Sequence, residues 1–181
     1  MNSKFAIEFN PKNVKMIFYS DEIINQFVDE DVEMIFTYFT YPKINLEYIR
    51  TLLRQNSGFS NKVAFYCFDD VFDIRNCPSC MIYSKDPRSD ENIYYIMIIC
   101  THRKFRGLGY ATMLMDGFVE KIRLTGTSKI ILSSLDDVVS YYQKYGFEVV
   151  DCDLSAYPGL ARFEKHDKSK MYSVMELVIE N

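Results

Sequence analysis

Histidine and glycine are scarce in this chain, and no apolar run is long enough to cross a bilayer. There are only two histidines. The one C-x-x-C, Cys77-Pro78-Ser79-Cys80, therefore lacks the two further ligands that zinc would need, and no metal is expected. Positive charge is not in excess either. A net charge of −4 and a pI near 5.3 argue against a general nucleic-acid binder and suit a basic substrate. The start, Met1-Asn2-Ser3-Lys4-Phe5, has no apolar signal-peptide core. Five cysteines, an odd number, read as reduced thiols in an intracellular chain. The expected location is thus cytoplasmic, without membrane or nucleic-acid partners. No repeat, low-complexity tract or linker interrupts the sequence, so residues 1–181 read as a single domain long enough for a sizeable core.

Read in order, the chain alternates short extended and helical patterns. Val14 to Tyr19 is expected to be a strand, with Phe5 to Phe9 a second short extended piece before Pro11. From Asp21, Ile24, Phe27, Val28, Ile35, Tyr38 and Phe39 fall at helical spacing and Pro42 stops the helix, with Asp29-Glu30-Asp31 turned outward. Asn45 is placed to cap a second helix whose face is Leu46, Ile49, Leu52 and Leu53, ending near Gly58. Lys62 to Phe68 and Cys80 to Ser84 read as strands, with Asp69-Asp70 turning the first and 85–90 forming a loop. Ser134-Leu135-Asp136-Asp137 has the form of a capping box, opening a helix with Val138, Tyr141, Tyr142 and Tyr145 on one face and Gly146 just past its end. Residues 155–170 are polar and read as a long exposed loop, and Met171 to Ile179 as a final strand. Periodicity alone gives a mixed α/β or α+β fold.

One stretch organises the rest. The run Ile93 to Cys100 reads as a buried strand, and Ala111, Leu114, Met115, Phe118, Val119 and Ile122 recur at helical spacing, closed by Gly126. Between them lies Arg103-Lys104-Phe105-Arg106-Gly107-Leu108-Gly109-Tyr110, with two of the seven glycines. Glycines let backbone N–H groups approach a ligand with no Cβ in the way. A helix start adds unpaired N–H donors and the positive end of the dipole, so the expected guest is an anion. The dinucleotide fingerprint is not met, because Thr112 stands where its third glycine belongs, and the Gly-Lys-Ser/Thr of a triphosphate loop is absent.

The pattern that fits is R-x-x-G-x-A, as Arg106, Gly109 and Ala111. Some thirty residues on, Tyr142, Gly146 and Phe147 supply Y-x-x-x-G-F at the end of the next helix. Two spaced motifs in the order strand, helix, strand, helix, strand over about residues 92–150 resemble the GNAT superfamily of acyl-CoA N-acetyltransferases. The resemblance implies an α+β fold with a mostly antiparallel sheet flanked by helices, whose central strands, about 92–101 and 129–134, splay apart. It implies acetyl-CoA as acyl donor and direct transfer to a primary amine, on a small molecule or a protein, by a monomer or homodimer. A longer acyl chain, or a GNAT-like module that binds CoA or serves only in interaction, is the alternative. By position, Arg106 and the N–H groups of Gly107, Leu108, Gly109, Tyr110, Ala111 and Thr112 would hold the CoA pyrophosphate. Ile99, Cys100 and Thr101 would pair with the pantetheine through their backbone, and that same segment would supply the N–H for the oxyanion.

Acyl transfer from a thioester to an amine has three requirements. The amine must be deprotonated, and a lysine-type amine is neutral in only about one molecule in a few thousand at pH 7. Charge developing on the carbonyl oxygen needs a donor. The departing thiolate is best protonated. Tyr142, the Tyr of the second motif, is the candidate general acid; a core tyrosine with one hydrogen bond is the competing reading. Tyr141 and Tyr145 read as packing. Direct transfer needs no nucleophilic cysteine, so Cys100 has no such role there. No general base stands out: Glu91 is at the far end of the strand, and His102 sits at the turn. The chain also departs from many relatives at Leu135, where an Asn contacts the cofactor. Acidic residues at 29–33, with Asp69, Asp70 and Asp73, suggest negative potential at the acceptor mouth, away from the basic turn, and hence a cationic amine.

Overall fold

The computed structural model describes residues 17–19, 30, 33, 37, 39, 46–53, 61–88, 91–152, 154–161 and 172–180. Its frame is a seven-stranded sheet in the order β1-β2-β3-β4-β5-β7-β6. The strands are β1 (Ile17–Tyr19), β2 (Asn61–Tyr66), β3 (Ser79–Lys85), β4 (Ile93–Thr101), β5 (Lys129–Leu135), β6 (Glu148–Val149) and β7 (Tyr172–Val178). Every neighbouring pair is antiparallel except β4 and β5, which run parallel. A parallel pair needs a crossover, and the helix after the basic turn provides it. This is the mixed, mostly antiparallel α+β architecture expected.

Helix α1 (Leu46–Leu53) and α4 (Pro158–Ala161) cover one face; α2 (Tyr110–Arg123) and α3 (Val139–Tyr145) cover the other. On the α2 face, Leu114, Met115, Phe118 and Ile122 are buried against Met81, Tyr83, Ile96, Ile130 and Leu132. These are the positions the 3.6-residue period selected. On the opposite face, Ile49 and Leu52 of α1 pack on Val63, Phe65, Ile82 and Ile98, and Leu160 of α4 joins Tyr95, Ile131 and Val174. Burying each such side chain contributes about 1.5–3 kcal/mol. Because both faces of β4 are covered, its sequence reads as a nearly continuous apolar run.

Three expectations fail. The capping box does not form: Ser134 is buried in β5 and its hydroxyl donates to the Leu135 carbonyl at 2.9 Å. The chain passes through a 3-10 turn, Asp136–Val138, before α3, and neither start has a side-chain cap. Pairing of β5 with β7 extends through Ser134 and Leu135, so the ladder overrides the local capping signal. The segment after residue 153 is not simply an exposed loop, since Leu154–Ala156 forms a 3-10 turn and α4 buries Leu160 over the sheet. Nor are all five cysteines reduced. Cys67 and Cys77 form a disulfide, because antiparallel pairing of β2 with β3 brings their flanks together. The C-x-x-C thus divides, Cys77 bonding outside the motif. The strand expected at 5–9, most of the helix expected from Asp21, the Asn45 cap and residues 162–170 lie outside the described residues. Of that first helix, Phe39 is buried, while Glu30 and Glu33 are exposed.

Candidate active site

Where β4 and β5 part, the site begins. Their ladder runs from Ile93 opposite Lys129 to Ile96 opposite Leu132 and stops there. Both strands continue, β4 to Thr101 and β5 to Leu135. On its other side β4 stays paired with β3, but the register jumps from Ile82 opposite Ile98 to Tyr83 opposite Ile96. Met97 is thus an extra residue in β4, a bulge that bends and twists the strand at the level where it leaves β5. Beyond it, the β5-facing edge of Met97 to Thr101 has no strand partner among the described residues. An extended ligand could add there as a strand would. The splay is therefore present, and the apolar run gave no warning of the bulge that causes it.

The basic turn closes the top of this gap. Arg103–Phe105 forms a 3-10 turn, and α2 then starts at Gly109, which sits in the left-handed region at φ 83° with no side-chain cap. Gly107 is left-handed too, at φ 78°. A Cβ at either glycine would meet nothing within 4 Å, so open space lies in front of both. The first helical bond runs from Met113 N–H to the Gly109 carbonyl at 3.0 Å, which leaves the N–H groups of Tyr110, Ala111 and Thr112 outside the intrahelical ladder. Arg103, Lys104 and Arg106 are exposed around them, and the Arg106 Nε donates to the Thr101 carbonyl at 3.4 Å. Uncapped donors, open space and exposed cations fit a pyrophosphate.

Underneath, the turn is held by aromatic packing. The Tyr110 ring lies 5.8 Å from Tyr66, 5.5 Å from Phe68 and 6.0 Å from Phe105. Ser79 donates its hydroxyl to the Tyr110 carbonyl at 3.0 Å. His102, a candidate base in the sequence, is occupied here: its Nδ1 accepts from Lys104 N–H at 3.2 Å and caps the 3-10 turn. Burial lowers its pKa, as do Lys104, Arg103 and Arg106. Glu91 is likewise committed elsewhere, its carboxylate 3.3 Å from Lys129 Nζ.

Three tyrosines of α3 meet the gap differently. Tyr141 shares a hydrogen bond with Thr112 at 3.2 Å, and Tyr145 donates to Asp116 at 2.7 Å, so both tie α3 to α2. The Tyr142 hydroxyl has no hydrogen-bond partner among the described residues. Its ring packs on Phe147 at 5.6 Å and Tyr141 at 5.1 Å. Burial raises its pKa above the ordinary tyrosine value, with further contributions from Tyr141 and Cys100. The hydroxyl is therefore protonated at neutral pH, and it lies near enough to β4 to feel Cys100. Ile99, Cys100 and Thr101 are all half-buried, and Leu135 ends β5 across the gap. The expected residues are thus gathered on the turn, on the free half of β4 and on α3. Ser133, half-buried on the parted stretch of β5, joins them without having been singled out.

The acidic residues of the β2–β3 connection are not segregated from the basic turn as expected, and Asp29 and Asp31 lie outside the described residues. Asp73 is bound by Arg75 through its backbone N–H and two side-chain contacts, and Asp69 accepts from Asn76 at 2.9 Å. Their connection lies at the same end of the sheet as the basic turn, with Phe68 stacked 5.2 Å from Phe105. Among the described residues, no group of three or more His, Cys, Asp or Glu side chains is placed to hold a metal, and no helix is long and apolar enough to cross a membrane.

Comparison with known proteins agrees with this geometry. No curated protein matches the chain. Among solved structures, a protein from Desulfovibrio desulfuricans assigned to the GNAT family is similar, with TM-score 0.60 and 15% identity over 91% of this chain and 98% of that one. The NatC complex bound to Gag peptide and CoA gives TM-score 0.58 and 16% identity over 91% and 99%. The ribosomal-protein-S18-alanine N-acetyltransferase from Escherichia coli gives 0.57 and 12% over 92% and 96%. At these identities the likeness is one of fold. The sequence model of the Acetyltransferase (GNAT) family matches residues 34–147, which span the parted strands, the uncapped turn and Tyr142. The chain belongs to the GNAT acetyltransferase family and is built for acyl transfer.

Proposed function

We propose that the protein is an acetyl-CoA-dependent N-acetyltransferase that passes the acetyl group directly to a primary amine, on a small molecule or a protein. The observation that carries this reading is the placement of an uncommitted, protonated tyrosine hydroxyl beside parted strands whose far end is an uncapped, cationic helix start. Acetyl-CoA, when bound, supplies an activated thioester. The N–H groups of Gly107 to Thr112, with Arg106, hold its pyrophosphate. The unpaired edge of Ile99 to Thr101 orients the pantetheine and offers an N–H to the carbonyl oxygen. Tyr142 holds a proton where the thiolate departs. Glu91 and His102, the candidates read from the sequence, are engaged by Lys129 and by the Lys104 N–H, so water or the prior equilibrium of the amine is expected to take the amine proton. A melting experiment tests the reading first: acetyl-CoA should raise the Tm by mass action. CoA release in a broad amine panel tests the rest. No shift with acetyl-CoA, or a shift without release on any amine, would rule out the enzyme as stated.

A further inference from the structure

The free half of β4 holds a second piece of chemistry that acyl transfer does not use. Cys100 lies directly opposite Cys80 in the β3–β4 register, and their sulfurs are 3.3 Å apart. Cys80 is wholly buried, whereas Cys100 is only partly so. Cys100 sits four residues past the last β4–β5 pair, on the stretch expected to lie along the pantetheine, and close enough to the Tyr142 hydroxyl to raise its pKa. Burial and the contact with Cys100 push the Cys80 thiol well above its ordinary range. Cys100 is thus the more accessible of the two thiols, and Cys80 lies buried beside it.

We propose that Cys100 and Cys80 form a redox pair served by the acyl-CoA groove, with CoA disulfide as the oxidant and Cys100 as the thiol first modified. This rests on the cofactor reading above. The Cys100 thiolate attacks one sulfur of CoA disulfide, forming a Cys100–CoA mixed disulfide and releasing one CoA thiolate. Cys80 loses its proton, attacks the Cys100 sulfur, and releases the second CoA thiolate as the Cys80–Cys100 disulfide forms. Two protein thiols are oxidised, one CoA disulfide is reduced to two CoA thiols, and the two thiol protons go to the departing thiolates. Cross-strand sulfurs at van der Waals contact need to close only the remaining distance to a bond. The pyrophosphate turn raises the local concentration of the reagent at Cys100, as in any tethered reaction. The consequence is reversible oxidative arrest: while CoA is held on Cys100, the thioester cannot lie along β4.

The test uses full-length protein on a Cys152→Ser background, which removes the remaining free thiol. CoA disulfide is added, free thiols are alkylated, and products are read by intact mass and peptide mapping. The starting protein should lose both alkylatable thiols and retain no CoA, with Cys80 linked to Cys100. Adding Cys80→Ser should trap one CoA on Cys100, and adding Cys100→Ser should trap none. Glutathione disulfide, which lacks the pyrophosphate handle, should react roughly tenfold more slowly or worse. Equal rates for the two disulfides, no modification of Cys100, or a Cys77–Cys80 linkage would each overturn the proposal. A parallel melt of the reduced protein with CoA keeps the two readings apart. A CoA-induced shift without thiol modification sinks this inference alone, whereas no shift sinks the cofactor site as well.

Discussion

The same two strands make a sealed end and an open end. At the sealed end, Ile93–Ile96 and Lys129–Leu132 form a regular parallel ladder. Lys129 bridges Glu91 at 3.3 Å and Glu176 at 3.5 Å. The Ser128 hydroxyl donates to the Glu91 carbonyl, Ile179 N–H reaches the Ser128 carbonyl at 2.8 Å, and the Tyr95 hydroxyl donates to Asp86 at 2.5 Å. These polar groups are matched to one another. At the open end the matching stops among the described residues: β4 loses its partner on one side, α2 begins without a cap, and the Tyr142 hydroxyl is uncommitted. Unmatched polar groups cost stability in the free protein. At the open end a ligand with phosphates, amides and a thioester would satisfy them, and the sealed end holds the strands in place while the other end stays apart.

If this contrast is right, changes at the open end should cost function and spare the fold, and changes at the sealed end should do the reverse. The largest effect is expected from Gly109→Val. A β-branched residue at φ 83° is strained, and its side chain would project into the space in front of the turn. The acetyl-CoA-induced rise in Tm should vanish and kcat/KM should fall by roughly a thousandfold or more, about 4 kcal/mol. A full shift in the variant would show that the turn does not hold the cofactor.

Tyr142→Phe comes next. Removing one uncommitted hydroxyl should leave stability and acetyl-CoA affinity nearly unchanged while kcat drops by roughly a hundredfold. Because the folded pKa is raised above the ordinary value of about 10, wild-type kcat should show no alkaline fall from this group up to that pH. Unchanged turnover in the variant would return Tyr142 to packing.

Gly159→Ala probes the sealed side. A Cβ there would come within 2.5 Å of the Tyr95 ring, which is fully buried on the ladder half of β4. Overpacking of this kind costs about 1–3 kcal/mol. The Tm should fall by several degrees while the cofactor-induced shift survives, as thermal melts with and without acetyl-CoA would reveal.

The smallest effect belongs to Lys129→Met, which breaks a partly exposed ion pair and should cost about half a kcal/mol after solvent screening. Burial lowers the Lys129 pKa, but its bond to Glu91 and the charges of Glu176 and Glu91 outweigh that, and the net shift is upward. A raised folded pKa means the contribution is complete below the ordinary lysine value of about 10.4 and is lost as pH rises through the folded value. Urea melts should therefore show a constant wild-type advantage up to about pH 10 that shrinks above it. An advantage that grows in that range would contradict the assignment.

Much of the site was legible because it is written in local signals. Arg106, Gly109 and Ala111 form one turn, and the positive φ of Gly107 and Gly109 is a property of glycine that needs no tertiary partner. Tyr142 and Gly146 lie within one helix turn, and Gly146 does take the left-handed position that ends α3. What could not be read depends on partners distant in sequence. Whether Tyr142 or its neighbours keeps a free hydroxyl is decided by Thr112 and Asp116, about thirty residues away. The failed capping box has the same origin, since Ser134 has a local pattern for a cap but a distant partner in β7.

By itself, then, the sequence determined the period of each element, the glycine-permitted turn and the order strand, turn, helix of the candidate anion site, because each follows from backbone sterics or from side-chain spacing within a few residues. Only the tertiary structure decided where β4 leaves β5, since that depends on an extra residue at Met97 measured against the register of β3. It also decided which cysteines meet. Cys77 and Cys80 are neighbours in the chain, yet Cys77 bonds to Cys67 and Cys80 faces Cys100. Strand pairing, not sequence proximity, sets the distances between their sulfurs.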